Sequence, residues 1–179
     1  MTCSGSGGTH TGLLTGLRAA GFSTPVFGIS VRFDSQKQAD RIRSQCDTCN
    51  KKYFDSFDFF TGGLAESDVV VLDDYVGPGY SLPTDEMAKA IQYFARLESI
   101  LLDPVYTGKG AAGLLSLARS GRFGKDQRPL FIHTGGAPSL YHYQTLSKNL
   151  ASALSLRLNL VISWNYYGGL LWQRLCAQK

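Results

Sequence analysis

The sequence predicts an α/β protein built on a mostly parallel sheet, and three observations carry that expectation. Short apolar runs alternate with longer segments whose apolar residues recur at helical spacing. A glycine-rich turn, Ser4-Gly5-Ser6-Gly7-Gly8-Thr9, leads directly into one of those helical segments. The other unusual loops, at 76–81, 103–109 and 134–136, fall where apolar runs end or helices begin, the edge at which open parallel sheets bind ligands. Strand–helix–strand units of this kind close with right-handed crossovers.

The glycine turn comes first in the chain. Glycine has no Cβ, so its backbone N–H groups can approach an anion closely and positive φ is open to it. Residues 9–20 read as a helix capped by Gly21. The N-terminus of that helix adds unpaired N–H groups and the positive end of the dipole, which makes the turn a phosphate cradle. A phosphate loop ordinarily follows a strand. The residues ahead of Ser4 read as too few for one, so the leading strand is expected to be missing and the chain to be the back part of a larger protein.

Residues 26–31 (VFGISV) form an apolar run suited to a buried parallel strand. Residues 35–52 are polar and compatible with a helix, with Ser35 as its N-cap. A second buried strand follows at 69–72 and ends in Asp73 and Asp74, ahead of the Gly/Pro loop 76–81. A long helix starts near Thr84, with Asp85 and Glu86 in its first turn and Met87, Ile91, Phe94 and Ala95 on one face. Residues 100–102 read as a third strand, 108–120 as a Gly/Ala-rich helix able to pack closely, and 130–133 as a fourth strand ending in Thr134-Gly135-Gly136.

The composition narrows the class. With 179 residues, 44% hydrophobic and 18% charged, the chain can bury one sizeable core. A net charge of +4 with scattered basic residues does not indicate nucleic-acid binding. No apolar run reaches the ~18 residues that span a bilayer. Four cysteines at this length are not a disulfide framework, and there is no charged segment followed by an apolar one at the start, so a reducing, cytoplasmic setting is expected, with an organelle also open. Cys46 and Cys49 lack a second pair or a neighbouring His, and read as incidental on a polar helix. His10 and His133 read as a helix-start and a strand-end residue, because no ligand spacing surrounds them and no metal is expected. Asp73, Asp74 and Asp103 read as loop- and turn-ordering residues, and Tyr80 and Tyr106 sit among Gly and Pro, on loops.

Four segments together carry a family resemblance: 3–14 (CSGSGGTHTGLL), 73–83 (DDYVGPGYSLP), 101–110 (LLDPVYTGKG) and 131–138 (FIHTGGAP). In this order and spacing they resemble the C-terminal part of the pyridoxal-phosphate (PLP) enzymes of the tryptophan-synthase-β fold type. Within these, the resemblance is to the D-cysteine desulfhydrase and 1-aminocyclopropane-1-carboxylate (ACC) deaminase family. It implies a three-layer sandwich, incomplete at the N-terminus, over residues 1–143, followed by a divergent tail at 144–179 that mixes helical and strand-like leucine spacing. It also implies a small amino-acid substrate and a homodimer.

The resemblance implies roles for single residues. Ser4, Gly5, Ser6, Gly7, Gly8 and Thr9 match the loop that holds the PLP phosphate, and Thr134, with Gly135, matches the residue beside the pyridine nitrogen. Tyr106 matches the active-site tyrosine, expected to contact substrate and to assist proton transfer if its pKa is lowered. Tyr80 matches a second tyrosine lining the substrate pocket. ACC deaminases resemble this pattern with Glu and Leu where this chain has Thr107 and Thr134. The implied reaction is therefore β-elimination from D-cysteine to pyruvate, ammonia and hydrogen sulfide. ACC deamination and a non-catalytic protein of the same fold stay open, and a general nucleotide-phosphate binder is a lesser reading that the 103–109 and 133–136 segments argue against.

One departure is large. The lysine that anchors PLP in this family, and the loop that binds the substrate carboxylate, belong to an N-terminal half without counterpart here. Of the lysines only Lys109 lies in a matching segment, where a structural role at a helix start is expected. The chain alone is expected to be inactive or nearly so.

Overall fold

The computed structural model describes residues 1–53 and 64–143. The tail at 144–179 lies outside the described residues. Three parallel strands, β1 (Thr2–Ser4), β2 (Val26–Ser30) and β3 (Val69–Leu72), form a sheet in the order β1-β2-β3. The helix α1 (Gly8–Ala19) crosses from β1 to β2, and α2 (Ser35–Tyr53) leads on toward β3. They are followed by α3 (Asp85–Glu98) and α4 (Thr107–Arg119). Sequential parallel strands joined by crossovers of one hand place α1 and α2 on one face of the sheet.

Strand alternation divides β2 between two cores. Val26 packs with Leu14, Ala39, Ile42, Cys46 and Val69 in a cluster shared with α1 and α2. Ile29 points the other way, toward α4, where a Cβ on Gly113 would meet its side chain. A second cluster lies on that side: Met87, Ala90, Ile91, Phe94 and Ala95 of α3, with Leu102 and Ala111, Ala112, Leu114 and Leu115 of α4. The outcome is the expected three-layer sandwich of helix, sheet and helix. The Gly/Ala pattern of α4 has a direct use. A Cβ at Gly110 would overlap Cys3 Sγ of β1, so the missing side chains let the helix lie directly on the sheet.

The helices begin and end within a residue or two of the expected limits, and the details differ in instructive ways. The N-cap of α2 is Asp34, not Ser35: its Oδ1 accepts from Lys37 N at 2.8 Å. Ser35 instead donates its backbone N–H to Asp73 Oδ2 at 2.6 Å, so Asp73 ties the end of β3 to the start of α2. Thr84 caps α3, accepting from Met87 N at 3.2 Å.

Three expectations about strands are corrected. A strand does precede the glycine turn: Thr2–Ser4 is β1, short but wholly buried, in register with residues 28–30. Residues 100–102 are not a strand, since Ile100 and Leu101 are exposed and only Leu102 enters the core. Residues 130–133 are not a strand either. That segment runs beside Met1, which donates to Leu130 O at 2.7 Å and accepts from Ile132 N at 2.9 Å, and it forms no further ladder among the described residues.

Beneath the glycine turn, His10 of α1 is fully buried over Gly28, where a Cβ would enter its ring. Its Nδ1 lies 3.2 Å from Ser4 Oγ. Burial pushes its pKa down from 6.5 to about 4, so the folded chain holds it neutral. Between these values the unfolded chain binds a proton that the folded chain refuses. This contribution is complete above pH 6.5 and is lost as pH falls toward 4, about 3 kcal/mol in all. Urea unfolding of the chain and of a His10→Gln variant across that range is expected to show a steeper acid loss in the former; equal slopes would contradict it.

Candidate functional site

The glycine turn leaves the C-terminal end of β1 and runs into α1, and its carbonyl oxygens are held from behind by α2. Gln38 Nε2 donates to Gly5 O at 3.2 Å; Gln45 Nε2 and Arg41 Nε donate to Ser6 O at 2.9 and 3.0 Å. In a trans peptide the C=O and the following N–H point in opposite directions. The N–H groups of Ser6 and Gly7 are therefore turned away from α2. Gly7 is the N-cap of α1, with φ 93° and no side-chain cap, and there is no acidic residue in the first turn. The first helical bond is Thr11 N to Gly7 O, so the N–H groups of Gly7, Gly8, Thr9 and His10 lie ahead of the helical ladder.

The N-terminus of α4 lies across the same cleft and is sealed. Asp103, 1% exposed, takes Val105 N and Tyr106 N on Oδ2 at 2.9 and 2.8 Å. It takes Thr107 N and Thr107 Oγ1 on Oδ1, both at 2.7 Å. Of the two helix N-termini at the cleft, α4 already has its carboxylate, and α1 is open to an external anion.

Between them lies a cavity of about 300 Å³ lined by Cys3, Gly5, Ser6, Gly7, Thr9, Asp103, Tyr106, Thr134, Gly135 and Gly136. The wall at 134–136 is shaped by His133, whose Nε2 donates to Leu101 O at 3.1 Å while Nδ1 accepts from Gly135 N at 3.0 Å. Gly135 and Gly136 both have φ 93°, and a Cβ on Gly136 would strike the Asp103 carboxylate. Cys3 is inert: burial is the main cause that pushes its thiol up to about 12.

Tyr106 stands at the mouth. Its ring packs so closely on Gly5 that a Cβ there would lie 2.8 Å from Cε1. Its hydroxyl lies 2.6 Å from that of Tyr80, with the rings edge to face. Burial, reinforced by the Tyr80 hydrogen bond, raises its pKa to about 12. The shift is upward, the opposite of the lowered value that a tyrosinate base would need. Tyr80 is held on its loop by Lys109, a fully buried side chain that donates from Nζ to Val76 O at 2.7 Å and Gly79 O at 2.9 Å. The Arg32 guanidinium stacks over Tyr80, 5.5 Å from the ring centroid.

Of the residues read from the sequence, Gly5, Ser6, Gly7, Thr9, Tyr106, Thr134 and Gly135 come together around the cavity. Others do not line it. The Ser4 hydroxyl lies under the turn, accepting from Gln38 Nε2 at 2.8 Å. Gly8 is the exposed first residue of α1. Tyr80 reaches the site through Tyr106. Thr107 is fully buried with its hydroxyl spent on Asp103, which places it behind the wall instead of against a substrate. Sequence reasoning missed Gln38, Arg41 and Gln45; their spacing on one face of a polar helix was the available signal. It also missed how much Asp103 does, because an Asp before Pro reads as a turn.

The cavity offers an anion site, the open N–H groups and helix N-terminus at the glycine turn, together with the hydroxyl-bearing residue Thr134 in its lining. PLP carries a phosphate, and these residues fit it. An α/β/α sandwich with a glycine-turn anion site is the class this geometry defines. Residues 1–135 match the family described as pyridoxal-phosphate dependent enzyme, and the chain belongs to it. A solved structure described as an ACC deaminase homologue superposes with a TM-score of 0.68 at 30% identity, over 85% of this chain and 42% of that one. The fold is thus that of tryptophan-synthase-β-like enzymes, and the chain spans less than half the length of that structure.

Proposed function

We propose that this chain carries the phosphate- and ring-binding part of a PLP-dependent lyase acting on small amino acids, with β-elimination of D-cysteine as its reaction. The supporting observation is that one cavity gathers the open N-terminus of α1, the Thr134-Gly135 turn and Tyr106. Residues 5–9 would hold the phosphate and Thr134 would face the ring nitrogen. PLP supplies the electron sink for carbanion chemistry at the amino-acid Cα. A neutral threonine hydroxyl does not enforce a proton on the ring nitrogen as a carboxylate would. In the net reaction D-cysteine and water give pyruvate, ammonia and hydrogen sulfide. Tyr106 Oη, paired with Tyr80 Oη and with its pKa raised, is placed to hydrogen-bond a substrate and is suited neither to a base nor to a strong proton donor.

A second reading has its own support. No lysine lines the cavity among the described residues, and Lys109 Nζ is committed to two carbonyls. On this reading the chain alone holds PLP reversibly and does not turn over. Both are tested by titrating the purified chain with PLP, reducing with borohydride, and assaying hydrogen sulfide from D-cysteine and 2-oxobutanoate from ACC. Saturable binding without a reduced adduct is expected, and any turnover above that of free PLP is expected as sulfide. Formation of 2-oxobutanoate would move the assignment to ACC deamination. A lysine adduct with sulfide release would overturn the non-catalytic reading, and absence of PLP binding would overturn the cofactor assignment.

A further inference from the structure

We infer that Gln45 and Gln38 are positioning residues for a phosphate monoester: from behind the glycine turn, they aim its N–H groups into the cavity. The inference rests on the PLP reading above. Gln38 is fully buried, and its amide orientation is fixed because Nε2 faces two oxygens, Gly5 O at 3.2 Å and Ser4 Oγ at 2.8 Å. Its Oε1 has no partner among the described residues. A buried amide with an unpartnered oxygen is costly, and an apolar side chain would avoid that cost, so the amide needs a reason. Its geometry supplies one. By drawing Gly5 O toward α2, it directs the Ser6 N–H the opposite way.

Gln45, two turns further along the same helix face, does the same for the next peptide. Its Nε2 donates to Ser6 O at 2.9 Å, beside Arg41 Nε at 3.0 Å, and together they turn the Gly7 N–H outward. The amide is locked from the other side, where Oε1 accepts from Thr11 Oγ1 at 2.9 Å. Donors on a peptide oxygen also polarise its N–H, so the clamp strengthens the groups it aims. The bare Cα of Gly7 is what allows this approach, since a Cβ there would overlap Gln45 Oε1.

The test compares PLP with pyridoxal, which lacks the phosphate, in the full chain and in Gln45→Met and Gln38→Met variants of similar side-chain volume. Gln45→Met is expected to weaken PLP by ~10-fold and pyridoxal by less than ~2-fold, the loss of one oriented donor contact being felt only at the phosphate. Gln45 is only half-buried, so it carries the test if the Gln38 variant does not fold. A purely structural role would shift both ligands equally; that result, or an unchanged PLP affinity, overturns the inference while leaving the cofactor reading intact. If the unmodified chain binds neither PLP nor inorganic phosphate, both fall.

Discussion

Replacing Asp103 with alanine is expected to remove about 3–5 kcal/mol of stability, the largest effect of any single substitution proposed for this chain. The carboxylate is almost wholly buried and accepts from three backbone N–H groups and the Thr107 hydroxyl. Alanine leaves all four donors without an acceptor at the start of α4 and strips the negative charge that its dipole favours. Gly136, packed on the same carboxylate, loses its support, so the wall at Thr134 loosens with the helix. Asp103→Asn keeps the volume but presents an amide NH2, itself a donor, to some of those donors, and is expected to lose roughly half as much. Urea unfolding measures both. A loss under about 1 kcal/mol for the alanine variant would show that water takes over the carboxylate's role.

The second large effect is expected at Gly7. Its φ of 93° is left-handed, and a Cβ would overlap both Gln45 Oε1 and Ile42 Cδ1. Alanine there meets a left-handed penalty of about 1–2 kcal/mol and an overpacking cost of about 1–3 kcal/mol. The backbone relieves this by rotating the N–H groups out of the cavity, so PLP affinity is expected to fall by ~100-fold, about 2.7 kcal/mol. Gly12 is the control. It lies inside α1 with open space around its Cα, and Gly12→Ala is expected to add about 0.5–1 kcal/mol of stability and leave PLP affinity alone. Fluorescence titration with PLP, alongside unfolding curves, separates the two outcomes. Equal PLP affinity in the Gly7 and Gly12 variants would refute the account of the glycine turn.

The elements legible in advance are those whose cause is local. The apolar runs of β2 and β3 suit a parallel sheet, buried along most of β2 but only half-buried in β3 beyond Val69, and Met87, Ile91, Phe94 and Ala95 recur at the spacing of one helical face. Thr84 caps α3 through its own hydroxyl, three residues from its partner. β1 was not legible, because Thr-Cys-Ser carries no apolar signature and is a strand only through pairing with β2. Residues 130–133 erred in the other direction. Their composition suits a strand, but among the described residues their backbone finds hydrogen bonds with Met1 alone.

The same division runs through the site. By itself, the sequence determined that a glycine turn opens a helix, and hence that backbone N–H groups and a positive helix end are available to an anion, since both follow from residues adjacent in the chain. It also determined, through its motifs, the family. The sealing of α4 is local, Asp103 reaching donors two to four residues on, and the tertiary structure decided that this capped end and the open end of α1 face one cavity. It decided that the Tyr106 pKa moves up and not down, because a pKa follows the burial and the partner, Tyr80, brought across from a distant loop. It alone set Gln38 and Gln45 behind the turn, since a contact between residues more than thirty positions apart exists only once the helix has packed against the sheet.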